Sequence, residues 1–227
     1  MELYCFPSSN NTRKVLAVVH HLGLEPAIRV VNLLERAQLD PSFVALNPNH
    51  MTPTLLDGDF VLWESNAIMQ YLAASTPGNV LWPASPRLQA DISRWQCWQL
   101  AHWEGQACVP LVFQNLLKGL IGQGGPDPEV VAGAERQFHR FASILEAHLR
   151  GREWLVGSSV TLADFSVASP LMLAESARLP VGDYPEIRGW YERVAALEAW
   201  RKSEPDMPTQ SPSLNGGERD AVHAAHL

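Results

Sequence analysis

Apolar and polar positions change rhythm along this chain, and the changes mark its elements. Residues 2–6 form a short apolar run that fits a strand. Val15, Val18, Val19 and Leu22 then recur at i, i+3, i+4 and i+7, the stripe of an amphipathic helix. Gly23 stands where a helix C-terminal glycine belongs. Residues 27–32 are again β-branched and apolar, which completes a strand–helix–strand unit and favours a parallel pair with a right-handed crossover.

A less regular stretch follows, with a short helix expected near 41–46. TLLDGDFVLW reads as a hairpin, two apolar runs about Asp57-Gly58. Glu64 and Ser65 precede another helix, with Ile68, Tyr71 and Leu72 on one face. The order β-α-β-(α)-β-β-α within residues 1–76 is the thioredoxin-like plan, an α/β domain. At STPGNVLWPASPR the texture breaks: three prolines and a glycine in thirteen residues mark a linker, placed at 77–87.

Residues 88–205 then read as an all-α domain. The pattern over 87–118 carries Leu88, Ile92 and Trp95 in phase and should bend near Pro110. A second helix fits 128–149. A third begins at Thr161, where TLAD sets aspartate three residues after a threonine cap. YPEIRGWYERVAALEAWRK supplies one or two more, and residues 206–227 are polar, small and aperiodic, as in a mobile tail.

Composition narrows the classes of function. With 227 residues and 46% hydrophobic content, a sizeable core needs neither metal nor disulfide. A formal net charge of −7 disfavours a nucleic-acid partner. No apolar run approaches the roughly 20 residues that span a bilayer, and MELYCFPSSNN turns polar too early for a signal peptide. Cys97 and Cys108 would stand about 16 Å apart on a helix, too far to bridge, so a reducing cytoplasm is the natural setting. His20 and His21 point about 100° apart on a helix, and no metal-binding spacing is present.

Candidate chemistry gathers in the first domain. Ser9 and Asn11 sit just before the first helix, expected near Thr12; they fit an N-cap, and also a hydroxyl aimed at an anion on helix amides. Thr52-Pro53 enters the third strand, where a cis proline would present the preceding backbone to a peptide-like ligand. Ser65 fits an N-cap, and also a seat for an amino acid's carboxylate, with Glu64 taking its ammonium. Arg36, Gln38 and His50 are loop residues that could reach a second carboxylate. Trp95, Trp98, His102 and Trp103 fit either core packing or the wall of a second pocket.

The strings SNNTRKVLAVVHHLGLE, FVALNPNHMTPTLLDGDFVLWESNAIMQYLA and WLVGSSVTLADFSVASPL together resemble a cytosolic glutathione S-transferase over about residues 1–202. S-x-N-x-x-K-V is similar to the bacterial members of the superfamily related to its theta, phi and nu groups. The resemblance implies a glutathione-binding thioredoxin-like domain, a helical domain with the electrophile pocket, and a homodimer. It assigns thiol activation to Ser9 and a sulfur contact to Asn11. Glutathione would be held by Gln38, His50, Thr52, Pro53, Glu64 and Ser65, and no metal is implied. Thr161 and Asp164 match the family's helix-capping pair. Met51 departs from the usual pattern, which carries a basic or amide side chain there. Cys5 does not match a catalytic cysteine. The expected reaction adds the glutathione thiolate to small apolar electrophiles. Disulfide or peroxide reduction is an enzymatic alternative, and a non-catalytic ligand-binding scaffold is another.

Overall fold

The computed structural model describes residues 1–205, so the tail expected at 206–227 lies outside the described residues. Strand β1 (Glu2–Cys5) leads into α1 (Asn10–His21) and β2 (Ala27–Val30). Helix α2 (Pro41–Val44), strands β3 (Thr54–Asp57) and β4 (Phe60–Trp63) and helix α3 (Ser65–Ala74) follow. The sheet order is β2-β1-β3-β4, with β1 and β2 parallel and the other two pairs antiparallel. This is the thioredoxin-like arrangement that the alternation of elements predicts.

Local chemistry explains most boundaries. Helix α1 ends in a Schellman motif: Leu24 N–H reaches Val19 O at 3.0 Å, Gly23 N–H reaches His20 O at 3.3 Å, and Gly23 adopts φ +65°. Asp40 caps α2 through Ser42 N–H at 2.8 Å. The hairpin turn is Gly58-Asp59 between the paired residues Asp57 and Phe60, one residue later than expected, because glycine takes the first central position at φ +63°.

The helical region opens with α4 (Pro86–Trp98), and the chain continues helically to Leu120. Around the bend expected near Pro110 the helix changes pitch. Gln99–Cys108 and Phe113–Leu117 are π-helical, and the short helices α5 (Val109–Val112) and α6 (Lys118–Leu120) alternate with them. Pro110 sits in the first turn of α5, where it breaks no ladder bond of that helix. Helix α7 (Pro128–Leu149) is capped by Asp127 and buries Phe138, Phe141, Ala142 and Leu145. Helices α8 (Leu162–Ala168), α9 (Pro185–Ala196) and α10 (Glu198–Lys202) complete the bundle.

Asp164 is the polar centre of that bundle. It is fully buried and accepts Leu155 N–H and Trp190 Nε1–H, both at 2.9 Å, on Oδ1. Thr161 N–H at 2.8 Å and Thr161 Oγ1 at 3.1 Å donate to Oδ2. The capping box read from TLAD therefore forms, and also ties α8 to α9. Helix α1 packs between the two halves, against α3 on one side and α8 and α10 on the other. Arg13 is buried there, its guanidinium 4.5 Å from the Trp200 ring centre.

Candidate active site

The sheet register brings the predicted residues to one end of the first domain. Tyr4 of β1 faces Thr54 of β3, which faces Trp63 of β4. The C-terminal ends of β1 and β4 and the N-terminal end of β3 therefore lie together. Because β2 runs parallel to β1, its C-terminal end lies there too. The four adjoining segments carry Ser9, Gln38, His50 with Thr52-Pro53, and Glu64-Ser65. The N-termini of α1 and α3 open at this same end, a double concentration of backbone N–H groups suited to anionic ligands.

Ser9 occupies the N-cap position of α1, at φ −80° and ψ 132°, but its side chain makes no capping hydrogen bond. Its carbonyl begins the helix by accepting Arg13 N–H at 2.9 Å. Because the helix starts at Asn10, two residues earlier than the sequence suggested, Asn11 lies inside the first turn. Ser65 likewise is the first helical residue of α3, not its cap. Glu64 holds the cap position at φ +72°, a left-handed conformation that turns the chain sharply from β4 into α3.

Asn11 and Ser65 touch: Ser65 Oγ donates to Asn11 Oδ1 at 3.1 Å. Asn11 Nδ2 in turn donates to Glu104 Oε1 at 3.2 Å, and Asn10 Nδ2 donates to the same oxygen at 2.7 Å. Gln99 Nε2 donates to Glu104 Oε2. Gln99 Oε1 accepts from Lys14 Nζ and from Asn66 Nδ2, each at 3.3 Å. Lys14 is completely buried, and loss of hydration pushes its ammonium down to about 8, against the opposing pull of Glu104 and Glu64.

Gln38 and Thr52 stand elsewhere along the same end. Gln38 Oε1 and Thr52 Oγ1 are buried and have no partner among the described residues. The Thr52-Pro53 bond is cis. His50 is exposed at φ +58°, with its N–H on Asn47 O at 3.0 Å, and Met51 is exposed beside it. Asn47 holds this loop from below, donating to Met51 O at 2.8 Å and Thr54 Oγ1 at 3.0 Å.

Sequence reasoning missed Asn10, Asn47, Gln99 and Glu104. Glu104 had a signal: it is the sole Asp, Glu, Lys or Arg between Trp95 and Leu117. Asn47 had one in NPN, where asparagine folds its own loop through Asn49 N–H at 3.0 Å. The tryptophans resolve toward packing. Trp95 and Trp103 are buried, Trp103 Nε1 donates to Val167 O at 3.1 Å, and Trp98 stacks on Trp103 with centroids 5.9 Å apart. His102 stacks on Phe141.

The cysteines are poor nucleophiles where they are buried. Burial pushes the Cys5 thiol up to about 11, and burial with the nearby Glu104 charge raises Cys108 as well. Among the described residues no cluster of His, Cys, Asp and Glu could hold a metal ion, and no helix is long and apolar enough to cross a membrane.

Comparison with known proteins agrees with this geometry. The family model for the glutathione S-transferase N-terminal domain matches residues 8–75, and that for the glutathione S-transferase C-terminal domain matches residues 109–198. The chain is 37% identical over 218 residues to Glutathione S-transferase 3 of Zea mays, covering 93% of this chain and 96% of that protein. It is 30% identical to Glutathione S-transferase D7 of Drosophila melanogaster, over 86% and 84% of the two chains. The solved structure of glutathione S-transferase III in apo form superposes with a TM-score of 0.79 at 36% identity, covering 93% of this chain and 98% of that one. A glutathione S-transferase from Rhodospirillum rubrum superposes with a TM-score of 0.78 at 25% identity, over 94% of each chain. Relatives from a plant, an insect and a bacterium do not single out the bacterial subgroup that the first-helix motif suggested. With both halves matched and a relative alike over nearly the whole length, the chain belongs to the glutathione S-transferase family and is a glutathione transferase.

Proposed function

We propose that this glutathione transferase activates the thiol of glutathione through Ser9 and adds it to small apolar electrophiles. The observation that carries the reading is the Ser9 side chain: it stands at the head of a 12-residue helix and makes no capping bond to that helix. Its hydroxyl can therefore serve a sulfur. An unperturbed thiol near ~8.5 is only a few per cent ionised at pH 7, and lowering it by about two units takes roughly 2.7 kcal/mol. A hydroxyl donating to a thiolate contributes about 1.5–3 kcal/mol, and a helix N-terminus roughly 0.3–1 kcal/mol more. The sum reaches the requirement.

In this reading the γ-glutamyl end lies at Glu64 and Ser65, on the first amides of α3. The cysteinyl backbone pairs with Thr52 beside Pro53, and Gln38 and His50 face the terminal glycine carboxylate. The unpartnered Gln38 Oε1 and Thr52 Oγ1 support a polar ligand at their loops. Asn11, two residues along from Ser9, contacts the sulfur at the thiol end, and its bond to Ser65 ties it to the γ-glutamyl end. A homodimer, a cytoplasmic setting and division into residues 1–76 and 88–205 about a linker complete the proposal. For the reductase alternative, Cys5 and Cys108 offer no reactive thiol of the protein's own, being buried with raised pKa values, while Cys97 is exposed.

Ser9→Ala tests the mechanism. Turnover should fall and the pKa of bound glutathione should rise toward ~8.5, while glutathione affinity stays near that of the unmodified protein. Ultraviolet absorbance of the bound thiolate across pH gives the pKa directly. An unchanged value would remove Ser9 from the mechanism.

A further inference from the structure

Glu104 lies in the helical region, 94 and 93 residues along the chain from the two asparagines that it binds. It is 8% exposed, and three primary amides converge on its two oxygens, those of Asn10, Asn11 and Gln99. A carboxylate offers acceptors only, so each of these amides must turn its NH2 toward Glu104. The consequence propagates outward. With Asn11 Nδ2 committed, Asn11 Oδ1 must face Ser65, and Ser65 must spend its single hydroxyl hydrogen on that oxygen. With Gln99 Nε2 committed, Gln99 Oε1 must face Lys14 and Asn66. One buried carboxylate therefore sets the direction of the hydrogen bonds that run through Asn11 and Gln99 from the helical domain to the heads of α1 and α3.

We propose that Glu104 is a positioning residue of the glutathione site, fixing the posture of Asn11 and, through it, the hydroxyl of Ser65. The inference rests on the reading that Ser9, Asn11 and Ser65 belong to one glutathione site. It also links the two ends of that site. A ligand carboxylate that draws the Ser65 hydrogen to itself releases Asn11 Oδ1, two residues from Ser9. Lys14 approaches Glu104 from α1 through Gln99, and Glu64, the residue ahead of α3, acts on the same ammonium. The neutral Cys108 thiol lies on Glu104's own helical segment.

Glu104→Gln changes one acceptor into a donor at nearly constant shape, so two NH2 groups must oppose each other until an amide turns over. Glutathione binding is measured by calorimetry in the intact protein, in Glu104→Gln, in Asn11→Ala and in the double variant, with thermal melting as a check on folding. The expected result is a dissociation constant about tenfold weaker for Glu104→Gln, the size of one charge-assisted bond. In the Asn11→Ala background the same change should cost less than about twofold, since Glu104 acts through Asn11. The KM for a chloronitrobenzene electrophile should not move. Glu104→Asp keeps the charge but shortens the reach, and should show the same weakening should Glu104→Gln fail to fold. Unchanged affinity, or an equal penalty in both backgrounds, overturns the positioning role while leaving the site intact. Failure of the unmodified protein to bind glutathione overturns the site and this inference together.

Discussion

Replacing Asp164 separates hydrogen-bond satisfaction from simple packing in the helical domain. In Asp164→Asn the amide can turn its oxygen toward Leu155 N–H and Trp190 Nε1–H, which cannot reverse. Its NH2 then faces Thr161, whose hydroxyl can rotate to accept, leaving one N–H orphaned. One buried unsatisfied donor costs about 1–3 kcal/mol, so ~2 kcal/mol is expected. In Asp164→Ala three N–H groups lose their acceptor, and the loss should exceed ~4 kcal/mol. At roughly 2–4 °C per kcal/mol for a chain of this size, Tm falls by about 4–8 °C for the asparagine and by more than ~8 °C for the alanine. Calorimetric melting supplies both numbers. Acidification adds a sign. Burial raises the Asp164 carboxyl above its ordinary value of 3.8, so the folded state holds that proton more firmly than the unfolded one. The linked stability is complete below 3.8 and is lost as pH rises through the folded value. The margin over Asp164→Asn should therefore widen on acidification. An asparagine variant as damaged as the alanine, or a margin that narrows in acid, would refute this account of the bundle's polar centre.

Two further variants test the packing around the site. A Cβ on Gly105 would meet Leu100 O at 2.9 Å across the widened turn. Gly105→Ala should thus destabilise by about 1–3 kcal/mol in urea unfolding, whereas in an ordinary helix it would stabilise by roughly 0.8–1 kcal/mol; a gain would argue against the wide turn. Lys14 carries its folded pKa down to about 8 from 10.5, so the unfolded chain holds more protons between those values and stability rises with pH there. Relative to Lys14→Met, the unmodified protein should gain up to about 3 kcal/mol between pH 8 and 10.5 in denaturant titrations. A flat difference would mean that Lys14 is hydrated.

Local signals carried most of the first domain. The stripe of Val15, Val18 and Val19, the glycine at 23 and the apolar runs about Asp57-Gly58 each act within a few residues, and the elements form there, with the hairpin turn displaced by one residue. The first helix begins early because Asn10 and Asn11 find partners in the helical domain, which no nearby residue announces. The wide turns were illegible for a different reason. Trp103, Ala107, Cys108, Leu111 and Val112 are all buried at spacings that an ordinary amphipathic helix would also give. Among the site residues, Ser9, Asn11 and Ser65 were visible as a motif, but the bond joining Asn11 to Ser65 depends on a carboxylate far along the chain.

The widened helix also bears on how this segment can change length. In a π turn residues i and i+5 stack, as i and i+4 do in an α-helix, and this is how Gln99 reaches Glu104. Removing one residue between them would let the turn relax to ordinary pitch with the two side chains still one above the other. A deletion there should thus spare this contact more readily than replacement of the carboxylate would. Chain length in this helix is an adjustable quantity, and the acceptor at its centre is the fixed one.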